Sequence, residues 1–348
     1  MSRREMDIWG EEDMPFIIAE MSGNHNQSLD RALAIVDAAA AAGVDAVKIQ
    51  TYTADTMTLD IAAGEFFIAD KDSLWKGESL YHLYEKAHTP WEWHAPIFER
   101  CKERGIMGFS TPFDDSSVDF LEGLDVPCYK IASFENVDLP LVRKVARTGK
   151  PIIASTGMTT VSELEDLVRT ARENDCKDLT LLKCTSSYPS SPEGTNLRTI
   201  PHMRELFGCK VGLSDHTLGI GVAVASVALG AAVIEKHFTL SRAEGGVDAA
   251  FSLEPAEMAQ LVRECRAAAL AMGEVRYEMV EQEKKSLQFR RSLYIAEDMK
   301  AGDVFNEKNL RRIRPGLGLS PKHYDVILGR KARCDVKRGT ALSWDLVE

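Results

Sequence analysis

The chain has 348 residues, 45% of them hydrophobic and 7% aromatic, with 42 Lys plus Arg against 53 Asp plus Glu and a formal net charge of −11. That composition excludes a disordered or fibrous chain, and the length exceeds a β-sandwich and leaves several tens of residues beyond a (β/α)8 barrel of typically ~250. One large domain with an appendage is expected, and a pI of about 5.4 does not favour nucleic acid as a partner.

The first residues, MSRREMDIWGEEDMPF, carry charges throughout and no apolar core of a signal segment. No later run approaches the ~20 apolar residues that span a bilayer, so no membrane association is expected. Seven cysteines stand singly at 101, 128, 176, 184, 209, 265 and 334 with no C-x-x-C pair, which suits free thiols in a reducing cytoplasm.

Eight short apolar runs then alternate with longer stretches of helical spacing: 16–20, 44–50, 106–111, 128–132, 151–156, 179–184, 210–215 and 233–238. Between them, Leu29, Leu33, Val36 and Ala40 mark a helix over 29–42 with Gly43 as its stop. Thr89-Pro90-Trp91-Glu92 and Thr160-Val161-Ser162-Glu163 each read as a capping box. Continuous apolar strands alternating with helices imply parallel strands buried on both faces, and eight units close a barrel. The alternative, an open doubly wound sheet, often carries a G-x-G-x-x-G turn after its first strand, and this chain has none there.

Every run ends polar: Glu20; Lys48 and Gln50; Ser110 and Thr111; Lys130 with Ser133; Ser155 and Thr156; Lys183 to Ser186; Ser214 to His216; Glu235 with His237. A barrel enzyme builds its site at those ends. The connection 51–88 is far longer than the usual ~2–6 residues and carries Phe66, Phe67, Trp75, Tyr81 and Tyr84, as a substrate wall or an oligomer contact would. After the helix over 254–272 the composition changes. From Lys284 onward 15 Lys plus Arg face 8 Asp plus Glu, a net of +7 that leaves −18 on the first 283 residues. The Gly turns of AGDVF, RPGLGL and KRGTAL read as a small β-rich domain. The expected boundaries are 1–275 for the barrel, 276–289 for a linker and 290–348 for the small domain.

His216 and His237 end consecutive strands, which stand ~4.8 Å apart in a barrel, so both imidazoles can reach one ion. Beside Asp215, Glu235 and Asp248 they point to a divalent metal, with Mn2+, Zn2+ or Fe2+ suited to two imidazoles and open positions. Lys48, Lys130 and Lys183 with Ser133, Ser155, Ser186 and Ser214 describe a pocket for a small anion, or a lysine poised for a Schiff base.

The segments IAEMSGNHNQSLDRALAIVDAAAAAGVDAVKIQTYTADTMTLD, STPFD, YKIASFE, STGM, LKCTSSYPSSPEGTNLR, GLSDHT and EKHF resemble the sialic acid synthase family, and the tail with RPGLGL resembles its C-terminal antifreeze-like (SAF) domain. IQTYTADTMTLD, LWKGESLYHLYEKAHTPWEWH and SSY in place of N-x-Y are most similar to the family's pseudaminic acid branch. The resemblance implies condensation of phosphoenolpyruvate with a diacetamido-trideoxyhexose on a TIM barrel. It also implies a divalent cation, Mn2+ first with Mg2+ or Co2+ as substitutes, on His216 and His237. Phosphoenolpyruvate contacts would match Lys48, Thr111, Lys130, Ser133, Ser155 and Ser214, with Ser186 at the position that is Asn in neuraminate synthases. Sugar-side and proton-handling positions would match Glu20, Gln50, Glu135, Tyr188 and Asp248. Arg314 would reach the sugar site of a partner in a homodimer. Rival expectations are N-acetylneuraminate or legionaminic acid synthesis, a Schiff-base aldolase on Lys130 or Lys183, and a non-catalytic barrel with an SAF-type binding module.

Overall fold

A computed structural model describes residues 14–70 and 73–348; the N-terminal segment read above as free of a signal region lies outside them through residue 13. The chain divides into two compact units, one through Gly273 and one spanning Glu274–Glu348.

The first unit is a closed barrel of eight parallel strands in sequential order: β1 (Phe16–Glu20), β2 (Ala46–Thr51), β3 (Met107–Pro112), β4 (Tyr129–Ile131), β5 (Ile152–Ser155), β6 (Leu179–Cys184), β7 (Lys210–Asp215) and β8 (Val233–His237). All eight expected runs are strands, and β1 pairs with β8 to close the ring. Strand side chains alternate between two faces. Phe16, Ile18, Ala46, Phe109, Cys128, Ile153, Leu182 and Val233 pack together inside the barrel. The other face packs on the helices, where Ile17, Val47, Ile49, Ile131, Leu181 and Ile234 join Ile35, Val36, Leu141, Leu167 and Leu261. Gly212 lies where strands crowd: a Cβ there would stand 2.1 Å from the Val233 carbonyl oxygen.

The helix Leu29–Ala42 starts on a Ser28 cap and stops at Gly43 with φ 85°, as expected. Thr160 and Glu163 form the anticipated capping box for Val161–Glu173. The other box does not form. A 3-10 turn over Trp91–Trp93 leads into His94–Glu103 with no side-chain cap, because the Thr89 hydroxyl is held by His25 Nε2 at 3.2 Å instead. The long connection contributes short helices at Ala54–Met57 and Leu80–Ala87 and an antiparallel bridge between Phe67 and Ser79.

The second unit pairs β9 (Ser292–Ile295) antiparallel with β10 (Leu310–Ile313) and adds single bridges such as Met299 to Val336 and Ala332 to Val347. Leu293, Ile295, Phe305, Leu310, Ile327 and Val336 form its own core. No helix among the described residues is long and apolar enough to cross a membrane.

Candidate active site

At the C-terminal end of the barrel the inward-facing position on each strand turns from apolar to polar. Ile18 is followed two residues on by Glu20, Ala46 by Lys48, Cys128 by Lys130, Ile153 by Ser155, Leu182 by Cys184 and Val233 by Glu235. These polar residues line a cavity of about 280 Å³ together with Gln50, Ser133, Glu135, Tyr188, Ser214, His216, His237 and Asp248.

Two ammoniums form its floor. Lys48 Nζ lies 2.7 Å from Glu20 and 3.6 Å from Glu235, and donates to Thr111 Oγ1 at 3.1 Å. Lys130 Nζ donates to Ser155 Oγ at 2.7 Å and stands 3.8 Å from Glu235. Burial opposes the charge on both lysines. It prevails at Lys130, whose ammonium is weakened, whereas Glu20 and Glu235 hold Lys48 protonated above its usual range. Burial also raises the Glu20 carboxyl, with Lys48 opposing. Glu235 would be raised by burial too, but Lys130 and Lys48 hold it below the ordinary carboxylate range. It accepts from Ser214 Oγ at 3.0 Å, and Gln50 Nε2 donates to Glu20 at 2.9 Å.

The two histidines stand with ring centroids 5.3 Å apart. His216 Nδ1 lies 3.0 Å from the Thr185 carbonyl, which fixes the proton there and leaves Nε2 as the ligating nitrogen. His237 Nδ1 is buried with no hydrogen-bond partner, 3.7 Å from Asp248, and burial followed by the nearby His216 keeps this ring neutral. Asp248 accepts a hydrogen bond from the Ser22 hydroxyl. A neutral imidazole with an orphaned buried nitrogen, beside a second imidazole oriented by a carbonyl, fits a divalent cation. Among the described residues no three His, Cys, Asp or Glu side chains converge as a complete cage, so the remaining positions would fall to water or substrate oxygen.

Thr111 sits beneath Lys48. Ser186 lies against Gly157 beside Ser133, which accepts from the Gly157 N–H at 3.1 Å. Lys183 does not reach the mouth. It alternates with the inward Leu182 and Cys184, so its ammonium faces the helix layer, donates to the Cys184 carbonyl at 2.8 Å and lines a separate surface cleft with Arg198 and His202. Asp215 likewise faces outward and is committed to Lys236 at 2.7 Å, which removes it from the metal set. Arg314 is an exposed residue of the second unit. Glu235, expected beside the metal, instead pairs with both lysines of the floor, and Cys184, expected only as part of a strand end, joins the lining; period-two alternation from Val233 and Leu182 places both on the inward face. Cys184 Sγ lies 3.9 Å from His216 Nδ1, and His216 draws its thiol down to about 7 against burial.

The chain matches the NeuB family over residues 35–277 and the SAF domain over residues 290–348. It belongs to the NeuB family. It is 46% identical over 327 residues to the pseudaminic acid synthase of Campylobacter jejuni subsp. jejuni serotype O:2, which covers 94% of this chain and 95% of that one. Over 336 residues it is 44% identical to the pseudaminic acid synthase of Helicobacter pylori, covering 96% and 98%. Among solved structures, the N-acetylneuraminic acid (sialic acid) synthetase of Leptospira borgpetersenii in complex with citrate superimposes with a TM-score of 0.69 at 30% identity, over 80% of this chain and 92% of that one.

Proposed function

We propose that the chain is an enzyme that condenses phosphoenolpyruvate with open-chain 2,4-diacetamido-2,4,6-trideoxy-L-altrose and water, giving pseudaminic acid and phosphate. The observation that carries this is the cavity floor, where Lys48 and Lys130 with the hydroxyls of Thr111, Ser155 and Ser214 form an anion cradle beside the paired imidazoles. The similarity to two pseudaminic acid synthases supports the choice of sugar.

In this mechanism a C–C bond forms between C3 of phosphoenolpyruvate and the aldehyde carbon, water adds at C2, and the C2–O bond breaks to release phosphate. Lys48 and Lys130 hold the phosphate and carboxylate, with Ser133 and Ser186 completing the anion site, and so bring C3 to the aldehyde within near-attack distance. Gln50, Glu135 and Tyr188 position the sugar. Burial raises the carboxyls of Glu20 and Asp248, with Lys48 opposing at Glu20 and Ser22 at Asp248, and we assign these two the proton-handling roles. His216 and His237 would hold a divalent cation, Mn2+ in our reading, which supplies Lewis acidity at an oxygen when bound. The lysines' two positive charges are already matched by Glu20 and Glu235, so an anionic substrate requires further positive charge. We assign it to that cation and to Arg314 of a partner subunit, with the SAF domain (290–348), joined by a linker (276–289) to the synthase domain (1–275), over the partner's site in a homodimer. All seven cysteines are free thiols, and we place the reaction in the cytoplasm.

Phosphate release against a panel of 2,4-diacetamido and 2-acetamido sugars, with mass spectrometry of the product, tests the proposal. Turnover confined to a 2-acetamido hexose, or to the legionaminic precursor, would move the chain to those synthases. Borohydride trapping of Lys130 with a keto acid, together with activity that survives EDTA, would replace the mechanism by a Schiff-base aldolase.

A further inference from the structure

The cavity has two chemistries, and they come from different parts of the chain. Strand ends supply the charged and hydroxyl groups of the floor. Among the described residues, those that the 51–88 connection contributes to the lining are apolar or aromatic, Tyr52, Met57, Ile68, Trp75, Leu83 and Tyr84 among them. This wall is anchored. The Trp75 indole N–H donates to the Val247 carbonyl at 2.9 Å, next to Asp248, and its ring meets Tyr188 at 6.0 Å between centroids. Tyr52 packs edge-on against both Tyr84 and Phe113. A polyhydroxylated chain laid on such a surface loses water from hydroxyls that find no partner, whereas methyl groups lose nothing by leaving water.

We propose that Trp75, Ile68 and Leu83 are specificity-determining residues that read the methyl groups of the sugar, its deoxy carbon and acyl termini, and thereby discriminate against hexosamines hydroxylated at those positions. This rests on the phosphoenolpyruvate–sugar condensation proposed above and adds to it the residues that choose among sugars. An apolar pocket separates a methyl from its absence or from a hydroxyl by roughly 10- to 100-fold, so the wall sets a preference of that order.

The test compares wild type with Trp75→Ala, Leu83→Asn and Trp75→Phe, using 2,4-diacetamido-2,4,6-trideoxy-L-altrose and its 6-hydroxy analogue. Both kcat/KM and calorimetric binding are measured, with KM for phosphoenolpyruvate as the internal control and thermal melting as the check on folding. Expected are a collapse of the preference by about 10-fold or more in Trp75→Ala and Leu83→Asn, its retention in Trp75→Phe, and a phosphoenolpyruvate KM within about twofold of wild type. An unchanged sugar preference, or a phosphoenolpyruvate KM that rises in parallel, overturns the assignment. Absence of turnover in wild type overturns the condensation instead, and the binding ratio alone then decides the wall: a preference lost in the two variants upholds it and a flat ratio refutes it.

Discussion

Lys236 donates to Asp215 Oδ2 at 2.7 Å, and neither side chain has any surface in contact with solvent. The two residues are register partners on β7 and β8, immediately before His216 and His237. Lys236 also donates to the Thr217 carbonyl at 2.5 Å, and Thr217 N–H donates to Asp215 at 2.9 Å. The pair therefore fixes, from the outer face, the strand ends that present the two imidazoles inward.

Removing one member leaves the other as an uncompensated buried charge. Lys236→Met is expected to cost about 3–5 kcal/mol in urea unfolding and to weaken metal-dependent activity, because His237 adjoins the lost anchor. The double variant Asp215→Leu with Lys236→Met should recover most of the stability and not the metal dependence. Recovery of both would show that the pair serves only the fold.

Eight strands and the closed barrel were legible because apolar runs and helical spacing alternate along the chain with little ambiguity. The site was partly legible. A polar strand end holds residues of both faces, and the polarity alone does not separate them: Lys183 and Asp215 lie one step of a period-two pattern away from the inward face, whereas Cys184 and Glu235 lie on it. The Thr89 hydroxyl is not legible as a tertiary contact, because its partner, His25, is 64 positions away. The apolar wall was not legible in detail, since no periodicity ties Ile68, Trp75 and Leu83 to a common surface.

Glu135 lines the cavity with one carboxylate oxygen buried and unpartnered. Burial lifts its carboxyl to about 7, with Asp138 adding to the rise and Lys130 and Lys48 opposing it. It is thus neutral below about pH 7 and negative above. Stability gained from the raised value is present at low pH and lost as pH rises through about 7. Phosphoenolpyruvate should bind less well once that charge appears. We expect the phosphoenolpyruvate KM of wild type to rise above pH 7 and the rise to flatten in Glu135→Gln, measured by initial rates from pH 6 to 9; parallel profiles would exclude this carboxyl.

Both ends of the 51–88 connection rest on buried neutral histidines. His94 Nε2 lies 2.8 Å from the Thr51 hydroxyl, and His25 Nε2 lies 3.2 Å from the Thr89 hydroxyl. Burial depresses each to about 4. Since the unfolded chain titrates near 6.5, the stability these rings contribute is complete above that pH and falls as pH drops toward 4, by up to roughly 3 kcal/mol each. Limited proteolysis at pH 5 should cut within this connection before elsewhere, and His94→Gln should reduce the difference between pH 5 and pH 7.5. Equal cleavage rates at the two pH values would contradict it.

Gly157 has no room for a side chain. A Cβ there would stand 2.1 Å from Ser186 Oγ and 2.8 Å from Ser133 Oγ. Neither contact can be tolerated, and both hydroxyls sit at the end of short side chains on fixed backbone, so Gly157→Ala must push the two serines away. The strain is local, about 1–3 kcal/mol in unfolding, because the lining beyond them is the open cavity. Its consequence falls on the anion site. The phosphoenolpyruvate KM should rise by about 10-fold or more, the size expected when one or two charge-assisted hydrogen bonds are lost, while binding of the sugar to the apolar wall changes little. Gly212→Ala provides the contrast: its Cβ would meet the Val233 carbonyl within the strand ladder, where nothing can yield, and that variant should fail in folding before any kinetic constant can be measured.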